Sequence, residues 1–197
     1  ILLWDITTGK RLRALEGHTG GITHLLFSRD GSLLFSASYD TTIRIWEPET
    51  GALRTTLQGH TQAVQQLALS HDAMRLASAS HDGSLRLWDL SNNTSLQTLP
   101  LGTSALYSVC FNQDATQLFA GGLDGILRVW DFTRDPRRQI LERYPLSIRT
   151  LALSNDGLYL ASGSALRTGR IDRRSDWRWL HTISSHSTDL RAVAISP

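Results

Sequence analysis

Short apolar runs alternate with small polar turns along the whole chain, and no stretch has the apolar spacing of a helix. Residues 22–28 (ITHLLFS) and 33–38 (LLFSAS) are apolar runs joined by the turn RDGS, whose Asp-Gly pair is a hairpin signal. Asp40-Thr41-Thr42 forms a second tight turn, after which Ile43-Arg44-Ile45-Trp46 alternates with period two. A third turn, PETG at 48–51, leads into the more polar ALRTTL. The stretch predicts four short antiparallel strands. The first three carry apolar residues on both faces and need cover on both sides; the fourth reads as an outer edge.

The stretch recurs at a fixed interval. Trp4, Trp46, Trp88 and Trp130 stand 42 residues apart, and Asp30, Asp72, Asp114 and Asp156 keep the same spacing. So do Asp40, Asp82 and Asp124, and Arg44, Arg86, Arg128 and Arg170; His18, His60 and His186 share the register. Twisted four-stranded sheets repeated in this way bury both faces by stacking radially as propeller blades. The predicted fold is all-β: a β-propeller of four-stranded antiparallel blades with a 42-residue repeat, four full blades plus partial blades at both ends. The boundaries are 1–17 for the end of a blade, 18–59, 60–101, 102–143 and 144–185 for the repeats, and 186–197 for the start of a further repeat. The chain opens with Ile inside the strand-like ILLWDI and holds a non-integer number of repeats, so it reads as a fragment with unpaired edges that favour association.

Gly17-His18 with Trp46-Glu47, and Gly59-His60 with Trp88-Asp89, together with the recurring Asp before the third strand, resemble the WD-repeat β-propeller family. The third period keeps Asp124 and Trp130-Asp131 but has Leu101-Gly102 in place of Gly-His. The fourth has Arg143-Tyr144, Leu166 and Asp172 at the signature positions, and a fifth opens with Ser185-His186. The resemblance implies a buried hydrogen-bonded chain of His18, Ser36, Asp40 and Trp46 in one blade and of His60, Ser78, Asp82 and Trp88 in the next. Asp124 and Trp130 are what remains of it in the third. A neutral imidazole donates one N–H to the carboxylate and accepts at its other nitrogen, tying two loops together. Gly102 and Ala120 remove the His and Ser of the third blade, and Tyr144 and Leu166 replace the His and Asp of the fourth, so these blades are expected to lack the network and to be the weaker ones.

Composition narrows the function. With 41% apolar residues and a net charge of +2, the chain is not of the disordered class. One cysteine excludes an intramolecular disulfide framework and a multi-thiolate zinc site, and no apolar run has the length of a membrane helix. Cys110, within SVCF, reads as a buried inert thiol, and His24, His71 and His181 lack ligand spacing. A His–Asp–Trp set copied in successive blades is a structural device, and there is no Walker loop, dinucleotide turn or HExxH motif. Trp177 and Trp179 are expected to cap the outer strand of the fourth blade. The sequence therefore reads as non-enzymatic, with no catalytic, cofactor or metal site. A hydrolase needs polar groups converging on the axial channel, whereas the positions opening each first strand are Ile22, Val64, Leu106, Ile148 and Leu190.

The family resemblance implies a cytoplasmic protein-interaction scaffold or regulatory propeller within a larger multidomain protein, with a protein or peptide partner across the narrower face. Carried over by position, that face presents Thr23, Tyr39, Gln65, His81, Tyr107, Leu123, Arg149 and Arg191. These positions vary from blade to blade while their scaffold neighbours repeat. The alternative is nucleic-acid or polyanion binding through the Arg-rich sector 134–178; residues 125–178 hold 11 Arg against six acids.

Overall fold

The computed structural model describes residues 1–100, 102, 104–133, 139–144, 147–165, 167–184 and 187–195. The signature positions Leu101, Leu166, Ser185 and His186, and Arg134, Arg137 and Arg138 of the basic sector, lie outside the described residues.

The regular elements among the described residues are all β-strands. Strands β1 (Leu2–Trp4) and β2 (Arg11–Ala14) pair as a two-stranded sheet. Four four-stranded sheets follow. The first comprises β3 (Ile22–Phe27), β4 (Leu34–Ser38), β5 (Ile43–Glu47) and β6 (Ala52–Leu57); the second, β7 (Val64–Leu69), β8 (Arg75–Ser80), β9 (Ser84–Asp89) and β10 (Thr94–Pro100). The third has β11 (Leu106–Phe111), β12 (Gln117–Gly122), β13 (Ile126–Asp131) and β14 (Gln139–Arg143). The fourth has β15 (Ile148–Leu153), β16 (Tyr159–Ser164), β17 (Thr168–Arg173) and β18 (Arg178–Ser184). Every sheet is an antiparallel meander, so these are the propeller blades that the alternating pattern predicts. The sequence interval survives in the pairing: Phe35 faces Ile45, Ala77 faces Leu87, Phe119 faces Val129 and Ala161 faces Ile171.

The blades bury one another. One apolar cluster joins Phe35, Ile43 and Ile45 of the first to Val64, Leu67, Leu76 and Trp88 of the second. The next joins Ala77, Ala79, Leu85 and Leu87 to Leu106, Val109, Leu118 and Trp130. The signature tryptophan of each of the first three blades thus fills the interface towards the blade before it; Trp46 does so against Ile1, Leu3 and Leu15. The first strands also hold one another edge to edge. Gln66 Oε1 accepts from the backbone N–H of Val109 (2.8 Å), and Ser108 Oγ accepts from that of Leu151 (2.8 Å).

Two features differ from the sequence expectation. Residues 187–195 contain no strand, because no neighbouring strand supplies a ladder; the segment still follows first-strand register, with the Val193 N–H donating to Thr150 Oγ1 (3.3 Å). The two late tryptophans also separate. Trp179 lies on the outer strand β18, 57% exposed, whereas Trp177 turns inward against Phe119, ring centroids 6.0 Å apart, and joins the cluster of Leu127, Val129, Ile148 and Leu151. Asp172 occupies the signature position of this blade, and Trp177, five residues later, supplies the missing indole from the turn before β18. Replacing Trp177 by Ala is expected to cost about 3 kcal/mol in urea unfolding, and Trp179→Ala less than about 0.5 kcal/mol, because only the first opens a cavity.

Candidate functional site

The rim above the first strands is built on two intact polar networks. His18 Nδ1 lies 2.7 Å from Asp40 Oδ2 and its Nε2 2.7 Å from Ser36 Oγ, which accepts from Trp46 Nε1 at 2.8 Å. In the second blade His60 Nδ1 lies 2.8 Å from Asp82 Oδ2 and its Nε2 2.7 Å from Ser78 Oγ, which accepts from Trp88 Nε1 at 2.9 Å. Both imidazoles are almost wholly buried. Burial pushes the Asp40 carboxyl up, but hydrogen bonds from Thr42, His18 and the backbone N–H of Thr19 outweigh it and hold the group well below the usual carboxylate range. Asp82 is held down in the same way by His60, Ser84 and the Thr61 N–H. The glycine before each His is required by geometry. Gly17 and Gly59 have φ of +141° and +147°, and the Arg44 and Arg86 guanidinium groups lie where a Cβ would project.

The degenerate blades lack the complete network, and the polar groups they keep find other partners. In the third, which has Gly102 and Ala120 at the His and Ser positions, the fully buried Arg128 pairs with Asp124. Arg128 Nη1 donates to Asp124 Oδ1 at 3.1 Å, and a Cβ on Gly102 would meet nothing. In the fourth, Tyr144 at the His position places its hydroxyl 2.8 Å from Ser162 Oγ and donates to Asp172 Oδ2 at 3.4 Å; Arg170 pairs with Asp172 at 2.7 Å. Where a signature residue is lost, a different donor thus bonds a polar member that is kept.

The first strands carry a further regularity that the sequence periodicity did not reveal. Their pairing register shifts between Ile22 and His24, Val64 and Gln66, Leu106 and Ser108, and Ile148 and Thr150. The residues skipped are Thr23, Gln65, Tyr107 and Arg149. A bulge of this kind re-aims the extra side chain. All four line one groove of about 550 Å³. Tyr39, His81 and Arg191 line it too, so seven of the eight rim residues selected from the sequence share one cavity, while Leu123 stands exposed outside its lining. The turn residues are held by equivalent backbone bonds: the N–H groups of Tyr39, His81 and Leu123 donate to the carbonyls of Gly21, Ala63 and Ala105 at 3.0, 2.9 and 2.8 Å.

Within the groove the Arg149 guanidinium carbon sits 4.3 Å from the Tyr107 ring centroid, and His81 meets the same ring at 5.4 Å, nearly perpendicular. Burial lowers the His81 pKa and the nearby Arg149 charge lowers it further. Gln65 Nε2, His81 Nε2 and His24 Nδ1 are shielded from solvent without a hydrogen-bond partner.

The other sequence candidates stay apart from this groove. Burial pushes the Cys110 thiol up to about 12, which makes it a poor nucleophile. His71 bonds Arg29 at 2.9 Å, and His181 is exposed on β18. No group of three or more His, Cys, Asp or Glu able to hold a metal occurs among the described residues. In the basic sector Arg170 pairs with Asp172, Arg173 with Asp176 at 2.9 Å, and Arg174 with Gln117 at 2.9 Å. These arginines brace the fourth blade instead of forming an open cationic surface, while Arg143, Arg167 and Arg178 are exposed.

Removing the buried guanidinium by Arg128→Leu is expected to cost about 2 kcal/mol or more in urea unfolding, against less than about 1 kcal/mol for the equivalent Arg44→Leu, which leaves its Asp bonded to a histidine. The lowered carboxyl pKa values of Asp40 and Asp82 give stability that is present above the ordinary carboxylate range and lost as pH falls through the folded values. Stability followed by thermal melts should therefore decline progressively below about pH 4, and Asp82→Asn should flatten that decline while lowering the melting temperature at neutral pH.

The family described as WD domain, G-beta repeat (WD40) matches at residues 9–47, 51–89 and 93–131, together more than half of the chain. Periodic tryptophan protein 2 of Saccharomyces cerevisiae is 51% identical over 45 residues, which is 23% of this chain and 5% of that protein. Protein ROOT INITIATION DEFECTIVE 3 of Arabidopsis thaliana is 49% identical over 45 residues, 23% of this chain and 10% of that protein. Eukaryotic translation initiation factor 3 subunit I of Culex quinquefasciatus is 44% identical over 45 residues, 23% of this chain and 14% of that protein. The chain thus spans only a small part of the length of the curated relatives it matches. With three matched repeats, antiparallel four-stranded blades and the buried His–Asp and Ser–Trp bonds in two of them, the chain belongs to the WD40-repeat family.

Proposed function

We propose that this chain is a non-enzymatic interaction scaffold whose partner, a protein or peptide, binds in the groove across the first strands. One observation carries the reading: the bulge residues of four successive blades, Thr23, Gln65, Tyr107 and Arg149, differ in chemistry yet line a single cavity. The residues around them that repeat are consumed by hydrogen bonds and packing, so specificity falls to the positions that vary. WD40 repeats are generally protein-interaction modules, which supports the same reading. Two tyrosines and two arginines in the groove are residue types that anchor interfaces.

Affinity capture with the wild-type chain and with Tyr39→Ala, Tyr107→Ala and Arg149→Ala tests it. A partner recovered at least about tenfold less by the groove variants, and equally by Trp179→Ala, is the expected result. Recovery that ignores the groove but falls steeply with added salt would return the polyanion reading.

A further inference from the structure

We propose that the groove selects an acidic peptide segment, gripping a carboxylate side chain between Arg149 and Arg191; this rests on the reading of the groove as a peptide-binding surface. Charge complementarity carries the proposal. The lining holds the cations Arg149 and Arg191, two histidines whose neutral form burial favours, and no Asp or Glu. The three carboxylates that follow the turn residues are turned into the scaffold. Asp40, directly after Tyr39, bonds His18, Thr19 and Thr42. Asp82, directly after His81, bonds His60, Thr61 and Ser84. Asp124, after Leu123, pairs with Arg128. The lining therefore presents two arginines and no carboxylate, with Asp189, two residues before Arg191, outside it.

Arg149 is also set up for planar recognition. Its guanidinium stacks on Tyr107 and, like that of Arg191, makes no ion pair or hydrogen bond with a described residue. Stacking holds the plane while leaving its N–H edge for a carboxylate, which meets it with two parallel bonds. Gln65 Nε2 and His81 Nε2, both unpartnered beside it, are further groups that an acceptor-rich ligand satisfies. The bulge positions run across four successive blades, which suits an extended chain.

Random dodecapeptides displayed on phage test this when selected on the 197-residue chain and on its Arg149→Gln/Arg191→Gln and Tyr107→Ala variants. Wild-type selection is expected to enrich Asp or Glu at a fixed position, and the double variant to lose that enrichment. On the unaltered protein, changing the acidic residue of a selected peptide to its amide is expected to weaken binding about tenfold or more. Arg149→Lys, which keeps the charge without the planar edge, is expected to bind with intermediate affinity. Peptides that need Tyr107 but show no acidic preference overturn the proposal and leave the groove reading standing. Peptides indifferent to Tyr107, Arg149 and Arg191 overturn both. Binding of a phosphoserine version where the carboxylate version fails overturns the acidic-peptide assignment in favour of a phosphate ligand.

Discussion

A sheet that is apolar on both faces cannot stand alone, and the rest of the structure is organised around that constraint. The first three blades each hide one face against what precedes them and the other against the next blade, as with Phe35, Ile43 and Ile45 on one side of an interface and Val64, Leu67 and Trp88 on the other. Close stacking sets residue size. Gly121 and Gly163 occupy the positions of Ala37 and Ala79, and a Cβ on Gly121 would lie 2.5 Å from Ile148 Cγ2. At Gly121 the first-strand Ile148 of the next blade claims the space that the missing Cβ vacates. The interval of 42 residues is therefore a packing period, and an insertion inside a strand would break two interfaces at once.

The same burial makes polar substitutions interdependent. An imidazole removed from a buried chain leaves a carboxylate and a hydroxyl without partners, at roughly 1–3 kcal/mol each. Where Gly102 and Ala120 replace His and Ser, the retained Asp124 gains a buried guanidinium; where Tyr144 replaces His, its hydroxyl reaches the retained Ser162. The lost indole of the fourth blade is answered by Trp177 from another position along the chain. Decay of the motif is thus decay of letters more than of interactions, and it proceeds by changes that keep buried groups bonded and interfaces filled.

This explains what was legible in the sequence. Strands and sheet order follow from local pattern and a fixed interval, whereas the two intact networks were implied by the resemblance of their recurring residues to WD repeats. The compensations cannot be read in either way, because Arg128 keeps the register of Arg44 and Arg86 yet pairs with its blade's Asp, and Trp177 leaves the register altogether. Ser162 sat in register as the partner of Tyr144, a signal available but masked by the change of its neighbour. The rim residues were legible as variable positions within a repeat. Their convergence was not, because a bulge alters side-chain direction without altering the hydrophobic alternation around it.

The bulge also separates the proposed recognition from stability. Thr23, Gln65, Tyr107 and Arg149 are skipped by the ladder, so the strand pairs on either side are kept whichever side chain is present. Tyr39, His81 and Leu123 enjoy the same freedom, because backbone bonds to Gly21, Ala63 and Ala105 hold their turns. The neighbouring Asp40 and Asp82 have no such freedom: each closes a network that two loops depend on. Electrostatics at the rim follows from this division. The carboxylates are fixed by the scaffold and face inward, so the sign of the groove is left to the variable positions, where Arg149 and Arg191 make it positive. A repeat of this design changes its ligand chemistry by altering bulge residues, with little consequence for the blades beneath.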